Sequence, residues 1–303
     1  MKENELLVNF PKQIKATYSD FVFIIKACLY INKARSDFVF LNMRNTRYFS
    51  TNLLVILYFS FVEWINEEKN VCVMLPNGEN IYGEKAIYSI FNCYARDKRA
   101  FFKPRFISAA NSREKEDVLL KYLKRIELEN YNIVKTLISE IFANIEMHTE
   151  NKIGCISGHF LEEKNTIIVS IANTGYSIAK QLENKRGMIF EDDFSALMWS
   201  LKKNNSTRNS GELGGLGLYL LRKYLYELKG QASIITGKCY LELDDKCFRI
   251  DNENIIQIKE KRDLDFEFQG TIITLHIPYL IKKIDNMYNE DFPTINLLDI
   301  MEK

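Results

Sequence analysis

Glu140, Asn144 and His148 stand four residues apart in the stretch 137–150, LISEIFANIEMHTE. Read as a helix, this spacing stacks a carboxylate, an amide and an imidazole on one face. Ile133, Leu137, Ile141 and Ile145 fall beside that line, so the polar row borders an apolar stripe. Side chains at such a border can be half-buried and still reach a ligand. An amphipathic helix with ordinary polar flanks has the same spacing, so the rest of the chain must decide between the two.

Three further groups of residues could do related chemistry. A β-rich run at 166–172 ends in Asn173-Thr174-Gly175-Tyr176-Ser177-Ile178. Glycine after a strand permits a turn and a close approach to a ligand, and a polar side chain there can read a base edge. Ser206, Thr207 and Arg208 offer two hydroxyls and a guanidinium, suited to phosphate oxygens. A solvated loop explains them equally well. Gly211, Gly214, Gly215 and Gly217 then lead through Leu218 into an apolar segment at 219–228. Glycines expose backbone N–H groups and a helix N-terminus favours anions, so this is a credible phosphate cradle. It is neither a P-loop, since no Gly-Lys-Ser/Thr follows, nor a dinucleotide fingerprint, since the third glycine and the preceding strand are missing.

The elements that must position these groups follow from the same pattern. Runs at 153–160 and 166–172 predict two strands with a hairpin at 162–165. The stretch 179–210, polar at both ends with a helical centre at 192–203, predicts a lid. Strands are expected at 232–235, 239–243, 248–250 and 271–278, the last opening on Gly270-Thr271. No role follows from the pattern of 282–303.

Upstream, strands are expected at 5–10, 37–43 and 70–75, and helices at 21–33, 53–65 and 81–94. Ser50 and Thr51 stand where a cap for the second helix belongs. Pro76-Asn77-Gly78 predicts a turn. Charge-rich 96–117, with Pro104, reads as a linker, and 115–126 as a helix leading into a second unit. The expected division is 1–105, a linker and linking helix over 106–128, a second unit over 129–280, and a tail over 281–303.

The chain has 303 residues, 47% hydrophobic and 27% charged, with a net charge of +1. That balance supports a well-cored α/β protein and supplies no global field to draw nucleic acid or anionic lipid. The most apolar run, 53–62, is too short to cross a bilayer. The six cysteines form no CxxC pair, and the N-terminus lacks the layout of a signal peptide. A reduced, cytoplasmic protein is the expectation. His148, His159 and His276, with Cys155, do not make a zinc set.

The order of the pieces over about 115–278 resembles the GHKL (histidine kinase-like) ATPases, which include gyrase, histidine kinases and anti-sigma factor kinases. The carriers are Glu-x-x-x-Asn on a helix, a strand ending in NxG, a lid, GGLGL opening a helix, and a strand beginning Gly-Thr. SEIFANIEMH is most similar to the anti-sigma serine kinase form. More loosely, 35–95 resembles a STAS-like domain, in which Ser50 or Thr51 would hold the position of a phosphate acceptor.

The resemblance implies a small STAS-like α/β domain followed by a GHKL α/β sandwich, a mixed sheet backed by helices, with ATP between sheet and lid. Asn144 would bind Mg²⁺ and Glu140 would activate the attacking nucleophile. His148 would lie on the same nucleotide-site helix. Asn173 would meet the adenine amino group, with Gly175 under the ring and Thr271 at the pocket edge. Ser206, Thr207, Arg208, Gly214, Gly215, Gly217 and Leu218 would surround the phosphates. Asn173 replaces the family's Asp, and Ser177 its second Gly.

With no histidine in 115–126 to accept phosphate, histidine autophosphorylation is disfavoured. The leading expectation is an ATP- and Mg²⁺-dependent regulator that controls a protein partner, a second copy, or its own N-terminal domain. A protein serine/threonine kinase and a non-catalytic nucleotide-binding scaffold, in stress signalling or phage defence, are the alternatives.

Overall fold

The computed structural model describes residues 5–15, 17–50, 53–83, 85–94, 102–108, 123, 130–148, 153–161, 165–205 and 217–279. The chain is an α+β protein, as its composition and pattern imply. The expected helix at 115–126, apart from Leu123, and the tail lie outside the described residues.

The N-terminal third alternates strands and helices. β1 (Glu5–Asn9), β3 (Phe38–Asn42) and β5 (Asn70–Met74) are parallel neighbours, and β6 (Asn80–Tyr82) closes the sheet antiparallel to β5. β2 (Gln13–Ile14) and β4 (Tyr48–Phe49) form a small separate pair. Helices α1 (Tyr18–Lys33) and α2 (Leu54–Asn66) make the two crossovers, and α3 (Lys85–Tyr94) follows β6. Both crossovers run the same way across the sheet, so right-handed connections leave both helices on one face.

Two local expectations change here. Ile81 and Tyr82 belong to a strand, because the Pro76-Asn77-Gly78 turn, with Gly78 at φ +88°, returns the chain antiparallel to β5. The N-cap of α2 is Leu53, without a side-chain hydrogen bond. Ser50 is held in extended structure, its N–H donating to Ile14 at 2.8 Å, and the cap duty passes it by. α1, by contrast, opens on a capping box between Thr17 and Asp20.

The second sheet has the order β10-β11-β9-β8-β7, antiparallel at each of its four described pairings rather than mixed. Its strands are β7 (Phe102–Ser108), β8 (Ile153–Leu161), β9 (Thr166–Thr174), β10 (Gln231–Leu243) and β11 (Glu260–Pro278). β7 spans part of the expected linker. The predicted short strands at 232–235 and 239–243 are one strand bent by bulges near Gly237, and 248–250 belongs to the connecting loop.

Register assigns each side chain a face. Ile156, Ile171, Ile273 and Ile234 form a row on the face covered by α4 (Tyr131–His148) and α7 (Gly217–Leu228). Cys155, Ala172, Ile272 and Ile235 point the other way, into a core shared with the N-terminal helices. There α2 contacts β5 on one side and β7, β8 and β9 on the other. Leu54 to Phe61 are all buried, which explains why this helix is apolar all round. α1 joins β11 through Lys26–Asp265 at 2.5 Å and β10 through a Tyr18–Tyr240 edge contact at 4.9 Å. The layers are therefore sheet, helices, sheet, helices, with one core spanning the expected domain boundary.

Candidate functional site

The site lies at one end of the five-stranded sheet, on the face carrying α4 and α7. Gly154, Asn173, Thr271 and Thr236 are register partners across four strands, so their side chains share that face. Asn173 is 8% exposed and Thr271 9%. Asn173 makes no side-chain hydrogen bond among the described residues. A buried amide without partners costs about 1–3 kcal/mol, so its presence needs a reason.

The two threonines hold their hydroxyls in a defined sense. Thr236 Oγ1 accepts from the Ile178 N–H at 2.9 Å and donates to the Gly270 carbonyl at 3.2 Å. Its single proton is thus used, and the 3.2 Å contact with Thr271 Oγ1 has Thr271 donating. Thr271 keeps acceptor capacity. Gly270 makes this row possible: a Cβ on it would lie 2.0 Å from the Asn173 carbonyl oxygen, and its φ is +131°.

Beyond the strand end, Gly175 at φ +124° turns the chain away. Ser177 caps α5 (Ile178–Arg186), accepting from the Lys180 N–H at 3.3 Å, and Gln181 Nε2 donates to the Tyr176 carbonyl at 3.0 Å. Ser177 therefore has a local duty that glycine could not perform.

The described part of the expected lid is more ordered than its sequence implies. Two capped helices, α5 and α6 (Asp193–Ser200), both pack on β10. Asp192 caps α6 through the Ser195 N–H at 2.6 Å, and the Asp193 carboxylate accepts from the Lys238 N–H at 2.9 Å across the β10 bulge.

Glu140 lies on α4, half-buried beside Leu137 and Ile141, with no hydrogen bond or ion pair among the described residues. Asn144 and His148 continue the same helix, but their side chains lie outside the described residues. Ser206, Thr207, Arg208, Gly214 and Gly215 lie outside them altogether. Gly217 begins α7, and Leu218 is half-buried against the core. The structure thus brings Asn173, Gly175 and Thr271 together and places Glu140 on the helix layer of the same face.

Sequence reasoning missed two residues. Thr236 sits inside a strand and gains meaning only from its pairing. Arg222, on α7, is fully buried and donates to the carbonyls of Cys247 (3.1 Å), Leu201 (2.7 Å), Glu253 (3.1 Å) and Ile255 (2.9 Å). It ties the end of α6 and the β10–β11 loop to the helix behind the glycine-rich stretch.

Other chemistry finds less support. Ser50 is 4% exposed, so its hydroxyl is shut in, and Thr51 lies outside the described residues. Burial pushes the Cys28, Cys239 and Cys247 thiols up to about 12, far from a nucleophilic thiolate. No group of three His, Cys, Asp or Glu converges among the described residues. Nor, among them, is any helix long and apolar enough to cross a membrane. A polar cleft of about 420 Å³, lined in part by Tyr18, Tyr240, Arg262 and His276, opens on the opposite face of the sheet. The chain matches no protein-family model and no curated protein.

Proposed function

We propose that this chain is a GHKL-type ATP-binding regulator whose N-terminal unit is STAS-like. The buried Asn173 amide beside Thr271, without a side-chain hydrogen bond among the described residues, carries this reading. An amide presents one donor group and one acceptor, and Thr271 adds an acceptor. Together they suit the edge of a base with an exocyclic amino group and a ring nitrogen, as adenine has.

Bound ATP with Mg²⁺ would supply an activated γ-phosphoryl group. Asn144 would contribute to holding the ion, which keeps several waters and leans on the phosphates. Backbone N–H groups at Gly214, Gly215 and Gly217, with Ser206, Thr207 and Arg208, would meet phosphate oxygens at the mouth of α7. Glu140, half-buried and without an ion pair among the described residues, would take the proton of an attacking water. Six cysteines with no disulfide among them suit a reducing compartment, and we place the protein in the cytoplasm.

The outcome of nucleotide binding would be control of a protein partner, with α5, α6 and the stretch that follows closing over the nucleotide. Phosphoryl transfer to Ser50 is disfavoured by that residue's burial. Binding without turnover, a nucleotide-dependent scaffold, is the second reading, and Asn173 in place of a carboxylate favours it. Phosphate release and ATP binding by wild type and Glu140→Gln test the proposal. Slow release abolished in the variant, with binding kept, is expected. Release unchanged in the variant would remove Glu140 as the base, and an absence of ATP binding in wild type would remove the proposal.

A further inference from the structure

Asn173 stands on β9 between Gly154 of β8 and Thr271 of β11, on the sheet face that carries α4 and α7. It is 8% exposed, and no described residue makes a hydrogen bond with its side chain. Nothing among the described residues therefore fixes which way the amide faces. Its register neighbours add no bias. Gly154 has no side chain, and Thr271 Oγ1, which donates to Thr236 Oγ1 at 3.2 Å, keeps acceptor capacity alone. The row Gly154, Asn173, Thr271 and Thr236 carries no ionised group, so it holds no fixed charge that would favour an amino group over a carbonyl oxygen.

We infer that the Asn173 amide reads position 6 of a purine in either sense, so that the site takes 6-oxopurine nucleotides, those of guanine and hypoxanthine, as well as ATP. The inference rests on the nucleotide reading proposed above and adds the specificity of that same site. Adenine sets a 6-amino donor beside the N1 acceptor. A 6-oxopurine sets the reverse, an oxygen acceptor beside an N1–H donor. An amide carries one donor group and one acceptor side by side, and turning it by half a revolution about its last torsion exchanges them. One orientation matches adenine and the other matches a 6-oxopurine. Thr271 Oγ1, as an acceptor, finds a donor on both edges. A site that reads hydrogen bonds rejects the wrong ligand, by about 10⁴-fold or more, when that ligand leaves a buried polar group unpaired. Neither purine does so here, and that source of discrimination is absent. A carboxylate at the same position would only accept, and would face the 6-oxygen as one acceptor against another.

Calorimetric titration of the full chain with ATP, GTP and ITP in the presence of Mg²⁺ tests this, for wild type and Asn173→Asp. ITP is the sharpest probe, because it swaps the hydrogen-bonding pattern at position 6 and N1 without adding guanine's 2-amino group. Wild type should bind ITP and ATP with affinities within about threefold of each other. Asn173→Asp, titrated near pH ~8 to keep the carboxyl ionised, should retain ATP and weaken ITP by at least about tenfold. A wild type that prefers ATP to ITP by more than about tenfold would overturn the inference and leave the ATP reading standing. That comparison needs no variant, so it decides even where Asn173→Asp fails to fold. A folded Asn173→Asp that binds both nucleotides as wild type does would overturn it by showing that Asn173 does not face the base. Wild type that binds none of the three would overturn the proposed function and this inference together.

Discussion

The two faces of the five-stranded sheet use the same alternation of side chains for opposite ends. On one, Cys155, Ala172, Ile272 and Ile235 are sealed under α2, which is apolar around its whole circumference. On the other, an isoleucine row is covered by α4 and α7, but the next row toward the strand ends is Gly154, Asn173, Thr271 and Thr236. The sealed face joins the N-terminal unit to the rest through one core. The open-ended face keeps a buried amide without a side-chain hydrogen bond among the described residues. Both faces bury a core, but only the second carries the candidate site.

The sharpest way to break this contrast is through α2. Phe61 is 1% exposed in the shared core, and Phe61→Ala should cost about 3–5 kcal/mol. Calorimetry should show one transition moving as a whole. Two transitions, with only the first shifted, would mean that the faces are not joined as described.

Arg222 tests the helix-bearing face. Arg222→Met leaves four carbonyls without their donor, and a loss of about 2–4 kcal/mol is expected. Limited proteolysis should then cut first within 244–259. A variant as stable and as resistant as wild type would show that the strut is dispensable.

His159 lies on the α2 side, where burial and then nearby His276 lower its pKa to about 4 from an ordinary 6.5. The unfolded chain takes up a proton that the folded one refuses between those values. Its contribution is therefore complete above pH ~6.5 and is lost as pH falls toward ~4, about 2 kcal/mol by pH 5. His159→Gln should flatten the fall of the thermal midpoint between pH 7 and pH 5, and an unchanged slope would contradict the assignment. The smallest effect is expected at the strand end, where Ser177→Ala should cost about 1 kcal/mol through the lost cap of α5. Circular dichroism melts would detect it, and a neutral change would show the cap to be idle.

Much of this was legible in the sequence where local chemistry decides. The run at 53–62 reads as a helix because it is apolar and lacks Pro and Gly, and Asn173, Gly175 and Thr271 stand out at strand ends. Other features needed the third dimension. β7 hid in a charged stretch because Pro104 argues against a strand, yet β7 is an edge strand, where proline is tolerated. The outer half of β11 carries many charges, and its strand signal is the short alternation Leu264, Phe266 and Phe268, which pack on the shared core. Ser50 has the right residue type for a cap, but the helix opens three residues later on Leu53, while the Ser50 backbone N–H pairs with the distant Ile14 carbonyl. Thr236 and Arg222 have no local signature, since one acts by cross-strand pairing and the other through four distant carbonyls.

Titration calorimetry of ATP against wild type and Thr271→Val, each with and without Mg²⁺, tests the chemical role of the open-ended face most directly. Valine keeps the shape of the row and removes only the hydroxyl. ATP should bind wild type in the presence of Mg²⁺, and the variant should bind at least about tenfold more weakly at a nearly unchanged thermal midpoint. No heat of ATP binding in wild type, or equal affinity in the variant, would contradict the assignment of this row to a nucleotide base.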